Sequence, residues 1–263
     1  MRFLSVYHTD VGIRKETNQD SVLIKEAKTA YGNVLMAVVC DGMGGLAKGE
    51  LASAELIRAY ADWFDHGFAD ILYHHRDAGG IDSTALKEAL DGIAQNVNRR
   101  VGRYASHLGS MMGTTAVVFI IAEGRFYTMN VGDSRICRID DFSITRLTKD
   151  QTYVQREVDA GRMTQADAAL HPKRNVLLQC IGAGQRVVPE FGEGVCQPGE
   201  LYMLCSDGFR HVVSEDEFLR IFAPEKMTTE KVMHDAAVYC TELVKSRKEK
   251  DNISVILIRI CQD

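Results

Sequence analysis

Four aspartates of this chain lie at the ends of apolar runs of strand length. The junctions are Val34–Cys40 into Asp41, Phe126–Val131 into Asp133, Leu201–Cys205 into Asp207, and Asp251 ahead of Ile253–Ile260. Such runs are typical of buried strands, but aspartate is depleted in strands and is almost never buried unless it is paired. Any fold that brings these strands into one core must therefore compensate several carboxylates.

Aspartates at the ends of neighbouring strands would repel each other unless a cation lay between them. A single Asp-Gly pair more often marks an ordinary turn, but that explanation weakens when four junctions flank strands of one core. Mg²⁺ and Mn²⁺ prefer oxygen ligands, and no His or Cys stands at these four positions, which argues against zinc. We therefore predict two ions that share Asp41 and Asp207, with Gly42 allowing the backbone to approach them.

A phosphate group bound at such a site also needs a fixed cation. Arg14 is the candidate, because a guanidinium grips two phosphate oxygens and stays charged at any working pH. From residue type alone, an ordinary solvated loop arginine explains Arg14 better.

The order of the elements indicates an α+β or layered architecture. Strand-like blocks at residues 2–40, 115–147 and 187–205 are separated by helical segments at 50–64, 83–108, 214–222 and 229–246. We predict a loop over 67–80, a helix cap at Ser83 and a strand over 187–191. Blocks of strands separated by helix pairs favour this arrangement over strict βαβ alternation.

Charge and composition limit the partners and the compartment. The net charge is −5, whereas a protein that binds a nucleic-acid backbone usually has a basic surplus. No apolar run is long enough to cross a membrane, and residues 1–9 lack a secretory signal. Seven cysteines without a CxxC pair indicate a reducing compartment. We expect a cytoplasmic monomer that binds neither nucleic acid nor membrane.

Seven motifs that run through the chain in order resemble the metal-dependent Ser/Thr protein phosphatases of type 2C, in their short bacterial form. They are Thr9–Arg14 leading to Asn18-Gln19-Asp20, Asp41-Gly42-Met43-Gly44-Gly45, Gly113-Thr114-Thr115, Val131-Gly132-Asp133-Ser134-Arg135, His171-Pro172 with Asn175, Ser206-Asp207-Gly208, and Asp251-Asn252. Each motif is weak alone, but seven in this order are highly specific.

The resemblance implies a central β-sandwich of two antiparallel sheets flanked by helix pairs, in αββα layers. It implies one catalytic domain over 1–263, with a mobile flap at about 150–182 that affects substrate choice. The substrates would be phosphorylated proteins, the targets of a partner Ser/Thr kinase. Phosphoserine and phosphothreonine would be hydrolysed in one step by a hydroxide that bridges two Mn²⁺ or Mg²⁺ ions.

The resemblance also assigns roles to residues. Asp41 and the Gly42 carbonyl would bind the ions, Asp207 and Asp251 would complete the second ion's shell, and Asp20 would lie near the cluster through water. Asp133 would share a third, weaker ion with Asp207. Arg14 would bind the substrate phosphate, and we assign catalysis to Arg14, Asp41 and Asp207.

Two positions depart from the family pattern. Gln19 stands where many members have a glutamate ligand, so the site carries less negative charge. Met43 stands where many eukaryotic members have a histidine proposed as the general acid. Methionine cannot donate a proton, so we expect the proton to come from a metal-bound water on the third ion.

Two other readings stay open at this point. Cys180–Arg186 fits the C-x5-R loop of cysteine-dependent phosphatases, which would need a thiol of low pKa; a packed structural thiol explains it as well. The fold could also be a phosphoprotein-binding module without activity, because fold alone does not establish catalysis.

Overall fold

The computed structural model describes residues 1–44, 48–77 and 80–261. The strands are β1 (Phe3–Asp10), β2 (Asp20–Thr29), β3 (Gly32–Gly44), β4 (Arg76–Asp77), β5 (Gly80–Ile81), β6 (Met112–Thr114), β7 (Ala116–Ala122), β8 (Arg125–Val131), β9 (Arg135–Ile139), β10 (Ile144–Arg146), β11 (Glu190–Val195), β12 (Leu201–Cys205) and β13 (Ile253–Ile260). The helices are α1 (Gly49–His66), α2 (Phe68–His74), α3 (Ser83–His107), α4 (Tyr153–Asp159), α5 (Gln165–Leu170), α6 (Asp207–Arg210), α7 (Glu215–Ile221) and α8 (Glu230–Ser246), with a 3₁₀ turn at Pro224–Lys226.

Two antiparallel sheets form the centre of the molecule. One has the strand order β1-β13-β12-β9-β10 and the other has the order β11-β8-β7-β3-β2, with β6 paired to the end of β3. The β7–β8 connection is a two-residue hairpin at Glu123 and Gly124, both with positive φ, as a turn that matches the twist of the strands requires.

Strand β3 shows why the molecule has layers. Its residues Leu35, Ala37 and Val39 face the other sheet, where they pack with side chains such as Phe119, Tyr202 and Ile256. The alternate residues Val34, Met36, Val38 and Cys40 pack against α1 and α3. A strand that is apolar on both faces needs a cover on each side, which is why the run Val34–Cys40 is continuous rather than alternating.

The second sheet is covered in the same way on its outer face. Ile253, Val255 and Leu257 of β13 pack with Phe218 of α7 and with α8, whose buried residues include Met233, Ala237, Cys240 and Val244. The result is helix, sheet, sheet and helix in four layers. The predicted α+β sandwich of two antiparallel sheets flanked by helices is confirmed.

Three local predictions are wrong. The segment predicted as a loop over 67–80 contains helix α2 and the short β4–β5 hairpin. The strand predicted over 187–191 is β11, which begins at Glu190 and pairs with β8. The N-cap of α3 is Asp82, whose carboxylate accepts from Thr84 N–H, rather than Ser83. Gly45 of the second motif and residues 78–79 of the predicted loop lie outside the described residues.

No helix within the described ranges is both long and apolar enough to cross a membrane.

Candidate active site

Asp20 and Asp41 lie opposite each other at one end of a strand pair. Asp20 is the first residue of β2 and is the register partner of Asp41 in β3. A side chain on Gly42 would place its Cβ 2.4 Å from the carbonyl oxygens of Gln19 and Gly49, so only glycine allows these backbones to come so close. Gly42 N–H donates to the Gln19 carbonyl at 3.2 Å and fixes this approach.

Asp207 and Asp251 meet in the same manner on the other sheet. Asp207 opens α6 directly after β12, and Asp251 stands two residues before β13, the strand beside β12. A Cβ on Gly208 would lie 2.1 Å from the Asn252 carbonyl oxygen. The two segments are therefore in backbone contact, and the strand order brings two distant parts of the chain together.

Asn252 links these two sheets. Its Oδ1 accepts from Gln19 N–H at 3.0 Å, and its Nδ2 donates to the carbonyls of Val11 and Thr17 at 2.9 and 3.2 Å. The N-terminal loop that carries Arg14 is thus tied to the segment of Asp251. Removing this buried amide would leave several backbone groups without a partner.

The motif around Thr115 holds Asp41 and reaches toward Asp133. Asp41 N–H donates to Thr115 Oγ1 and Thr115 N–H donates to the Asp41 carbonyl, both at 2.9 Å. Thr115 Oγ1 also pairs with Ser134 Oγ at 2.8 Å, next to Asp133. The Gly-Thr-Thr motif is therefore a scaffold for the acidic residues.

The predicted aspartates share one electrostatic environment. The pKa of Asp20 is raised to about 7, mainly by burial and also by the charges of Asp207 and Asp251, although the nearby hydroxyls of Ser254 and Ser206 oppose the shift. The pKa of Asp41 is raised well above its ordinary value, first by burial and then by the charges of Asp20, Asp207, Asp133 and Asp251. We call Asp20, Asp41, Asp207 and Asp251 the acidic cluster.

Buried oxygen atoms without partners make the acidic cluster fit a divalent ion. Both carboxylate oxygens of Asp20 and Oδ1 of Asp207 are buried, and none has a hydrogen-bond partner among the described residues. Of the two nearby hydroxyls, Ser206 Oγ accepts from Ser254 N–H and Ser254 Oγ pairs with Thr9 Oγ1. An unpaired buried charge costs several kcal/mol, which a coordinated cation offsets.

The carboxylates of the cluster are near enough to raise one another's pKa values. Across residues 1–44, 48–77 and 80–261, no three acidic, histidine or cysteine side chains are already arranged to hold an ion together. Like-charged carboxylates repel each other unless a cation lies between them. The burial of Asp20 and Asp207 and their unpaired oxygens are therefore the features that support an ion site here.

Two cations lie in the N-terminal loop beside the cluster. Arg14 is exposed and has no hydrogen bond or ion pair of its side chain within the described part of the chain. Lys15 Nζ pairs with Asp251 Oδ1 at 2.8 Å, and the charges of Asp251, Asp41 and Asp207 outweigh burial and raise the pKa of Lys15. The assignment of Arg14 as the phosphate ligand stays a prediction.

The chain matches the family model described as protein phosphatase 2C over residues 12–239. It belongs to the protein phosphatase 2C family. It is 30% identical to a serine/threonine phosphatase of Listeria monocytogenes over 254 residues, covering 96% of this chain and 94% of the relative. The predictions of a type 2C phosphatase and of an enzyme are both confirmed by the family match.

Solved structures of this family share the fold. Phosphatase Stp1 from Staphylococcus aureus superposes with a TM-score of 0.83 at 26% identity, covering all of this chain and 96% of the other. The catalytic domain of the phosphatase PstP, in complex with two manganese ions, gives a TM-score of 0.75 at 27% identity and covers 99% of this chain and 100% of that one.

Three side chains of this type 2C site were missed by sequence reasoning. Lys15 pairs with Asp251, His211 Nε2 lies 3.5 Å from Asp207 Oδ2, and Arg210 Nη2 lies 3.6 Å from Asp133 Oδ2. A signal existed for Arg210 and His211, because residues three and four positions after Asp207 lie on one helix face with it. Lys15 gave no such signal.

A cavity of about 390 Å³ lies beside the phosphatase site. Its walls come from the predicted flap, including Thr152, Gln155 and Arg174, and from the core, including Asp133 and Arg210. The flap carries helices α4 and α5, each capped by a threonine hydroxyl. Its mobility and its effect on substrate choice stay predictions.

The cysteine alternative is not supported by the structure. Burial raises the pKa of the Cys180 thiol, although a hydrogen bond from the Ala183 backbone lowers it slightly. A nucleophilic cysteine needs the opposite shift. Cys180 instead packs near Gly113, where a Cβ would lie 2.8 Å from its sulfur.

Proposed function

We propose that this chain hydrolyses phosphoserine and phosphothreonine in proteins, with two Mn²⁺ or Mg²⁺ ions held by Asp20, Asp41, Asp207, Asp251 and the Gly42 carbonyl. The observation that carries the proposal is the Asp20 carboxylate, which is buried among other acids and has no hydrogen-bond partner in the described residues. Keeping such a group ionised in a folded chain is costly, and a bound cation offsets that cost.

Named relatives support this activity. The Listeria relative is a serine/threonine phosphatase, and the PstP domain binds two manganese ions. Because four carboxylates form the acidic cluster, two divalent ions would neutralise them. The identity of the ion as Mn²⁺ or Mg²⁺ is part of the proposal, since oxygen ligands suit both.

Divalent ions at this position would lower the pKa of water and neutralise the charge of a phosphoryl group. The chain's own residues do the rest. Arg14, exposed and unpaired within the described residues, grips two phosphate oxygens with its planar guanidinium. His211 lies between Asp207 and Glu249, with its nitrogens 3.5 Å from a carboxylate oxygen of each, and orients Asp207.

Substrate choice would depend on the cavity beside the cluster. A phosphoprotein segment that reaches the cluster would contact the predicted flap, which supplies Gln155, Arg174 and Asn175 to the cavity. We propose proteins phosphorylated by a partner Ser/Thr kinase as the substrates. The monomeric state and the cytoplasmic location stay predictions.

The activity can be tested with p-nitrophenyl phosphate and with phosphothreonine peptides. We expect turnover that requires Mn²⁺ or Mg²⁺, is abolished by EDTA and is unchanged in Cys180→Ser. An Arg14→Ala variant should raise KM for both substrates, while the exposed control Arg103→Ala should not.

A binding measurement separates the enzyme from a non-catalytic module. Isothermal titration with Mn²⁺ should show bound ions in the same preparation that turns over substrate. Bound Mn²⁺ without any turnover would favour the module, and turnover in the presence of EDTA would refute the metal mechanism.

A further inference from the structure

Arg210 lies beside Asp133, the aspartate predicted to hold a third ion. Its Nη2 donates to the Asp133 carbonyl at 2.9 Å and lies 3.6 Å from Asp133 Oδ2. The latter distance is too long for a hydrogen bond but brings a full positive charge next to the carboxylate. The side chains are only 11% and 8% exposed, so water screens this attraction weakly.

A second buried pair completes the surroundings of Asp133. Arg135 holds Asp150 by two hydrogen bonds of 2.8 and 2.6 Å, and Arg210 Nη2 lies 3.6 Å from Asp150 Oδ2. We call Asp133, Asp150, Arg135 and Arg210 the paired group. It contains two carboxylates and two guanidinium groups, so its charges balance without any ion.

The acidic cluster has no such internal balance. Its four carboxylates match the charge of two divalent ions, and its one ion pair with a lysine or arginine in the described residues is the partly exposed Lys15–Asp251 pair. A third divalent ion at Asp133 would have to share that carboxylate with a guanidinium held 3.6 Å away. The two cations would repel each other at short range in a poorly solvated site.

The position of Arg210 is fixed by local structure. It is the last residue of α6, three residues after Asp207 and on the same helix face. Its hydrogen bond to the Asp133 backbone crosses 77 residues of sequence and ties the helix to the end of β8. The guanidinium makes one hydrogen bond in the described residues, to the Asp133 carbonyl, and two carboxylates 3.6 Å away attract it electrostatically, while its buried Nε has no partner there.

We propose that the Arg210 guanidinium takes the place of a third divalent ion at Asp133, so that this chain works with two ions. This inference rests on the proposed function, since it assumes the two-ion centre beside it. Arg210 is then a positioning residue: it keeps Asp133 in place and supplies a fixed positive charge to the wall of the substrate cavity.

The number of bound ions tests the proposal directly. Metal-free protein is dialysed against rising Mn²⁺, and bound manganese per chain is counted at the plateau. Each background is paired with its Asp133→Asn counterpart, so that the difference is the ion that depends on Asp133. Adventitious ions cancel in that difference.

We expect no Asp133-dependent ion in the wild-type protein and none in Arg210→Lys, which keeps the charge. Arg210→Met, of similar length but neutral, should gain one. Arg220→Met, an exposed arginine on α7 that bonds only the Asp216 carbonyl through its side chain within the described residues, should behave as the wild type.

An Asp133-dependent ion in the wild type would overturn the proposal, and so would its absence from a folded Arg210→Met. Should Arg210→Met fail to fold, the wild type and its Asp133→Asn counterpart still decide, because a loss of one ion refutes the proposal and equal counts support it. A wild-type protein that binds no Mn²⁺ and has no turnover would instead refute the proposed function itself.

Discussion

Two groups of buried carboxylates lie side by side in this phosphatase, and they behave in opposite ways. In the acidic cluster, burial and like charge raise the pKa of Asp20 to about 7. In the paired group, burial alone would raise the pKa of Asp150, but the hydrogen bond from Arg135 and the charge of Arg210 hold it below its ordinary value. Asp20 and Asp150 are buried to a similar extent, so their pKa values differ because Asp150 has cationic partners in the chain.

This contrast separates carboxylates that are neutralised by cations of the chain itself from carboxylates that we propose to bind ions. Asp150 has its cations within the chain, so it is ionised and satisfied. Asp20 has no hydrogen-bond partner in the described residues and is stabilised only by something from outside. Asp133 stands between the groups: the pKa is raised to about 7 by burial and by Asp207, although Arg210 opposes the shift.

The largest effect should come from breaking the paired group. Asp150→Asn leaves two buried guanidinium groups short of a counter-charge, and we expect it to lower the free energy of unfolding by about 3–5 kcal/mol. Asp41→Asn removes a repelling charge from the acidic cluster and should raise that free energy in EDTA. Urea denaturation of the metal-free proteins measures both. Equal losses in the two variants would contradict the distinction.

Substitutions in the acidic cluster should instead affect turnover more than stability. Asp207→Asn should reduce kcat by about 10²–10³-fold, because the ion that would neutralise developing charge loses one of its carboxylate ligands, while the metal-free protein keeps its stability. Asp251→Asn should act in the same direction. Asp216→Asn, an exposed aspartate on α7, is the control. Phosphatase assays at saturating Mn²⁺ give the result, and an Asp207→Asn enzyme with full turnover would refute the site assignment.

The pH dependence of stability sharpens the comparison. A carboxyl whose folded pKa is raised to about 7 binds more protons when folded than when unfolded between its ordinary value of 3.8 and 7. Stability of the metal-free protein must therefore fall as pH rises through this range. We expect Tm in EDTA to drop by about 5 °C between pH 5 and pH 8.

Asp133, with a pKa of about 7, and Asp41, whose pKa is also raised, add to this fall in stability, whereas Asp150 and His8 act differently. Asp150 has a lowered pKa, so its stabilisation is lost only below about pH 4. The lowered pKa of His8, caused mainly by burial, works in the opposite direction near neutral pH. Asp20→Asn should flatten the profile relative to the wild type. Calorimetry at several pH values tests this, and an unchanged slope in Asp20→Asn would count against the raised pKa.

The smallest expected effect concerns the one protein cation that contacts the acidic cluster in the described residues. Lys15 competes with an ion for Asp251, so Lys15→Met should lower the Kd for Mn²⁺, by up to about five-fold for a partly exposed pair. Lys231→Met, which breaks an exposed pair with Asp235, should leave the Kd unchanged. Weaker Mn²⁺ binding in Lys15→Met would mean that the ammonium supports the site rather than competing for it.

Much of the secondary structure could be predicted from the sequence. Leu201–Cys205 and Ile253–Ile260 were predicted to the residue, because strands buried on both faces appear in the sequence as runs that are almost entirely apolar. Other elements gave weak signals. Strand β11 has the sequence Glu-Phe-Gly-Glu-Gly-Val, which is too polar and glycine-rich to indicate a strand. It is a strand because it pairs with β8 at the edge of the sheet. Helix α2 has only seven residues and three buried side chains, Phe68, Ile71 and Leu72.

The sequence by itself determined which residues are candidates for the chemistry, because an aspartate beside a buried apolar strand is costly and therefore stands out in the sequence. Only the tertiary structure decided which of these carboxylates are already neutralised. Arg210 reaches Asp133 across 77 residues, and Lys15 reaches Asp251 from the opposite end of the chain. Ion pairing depends on distances of a few ångströms between groups far apart in sequence, and those distances exist only after the sheets have packed.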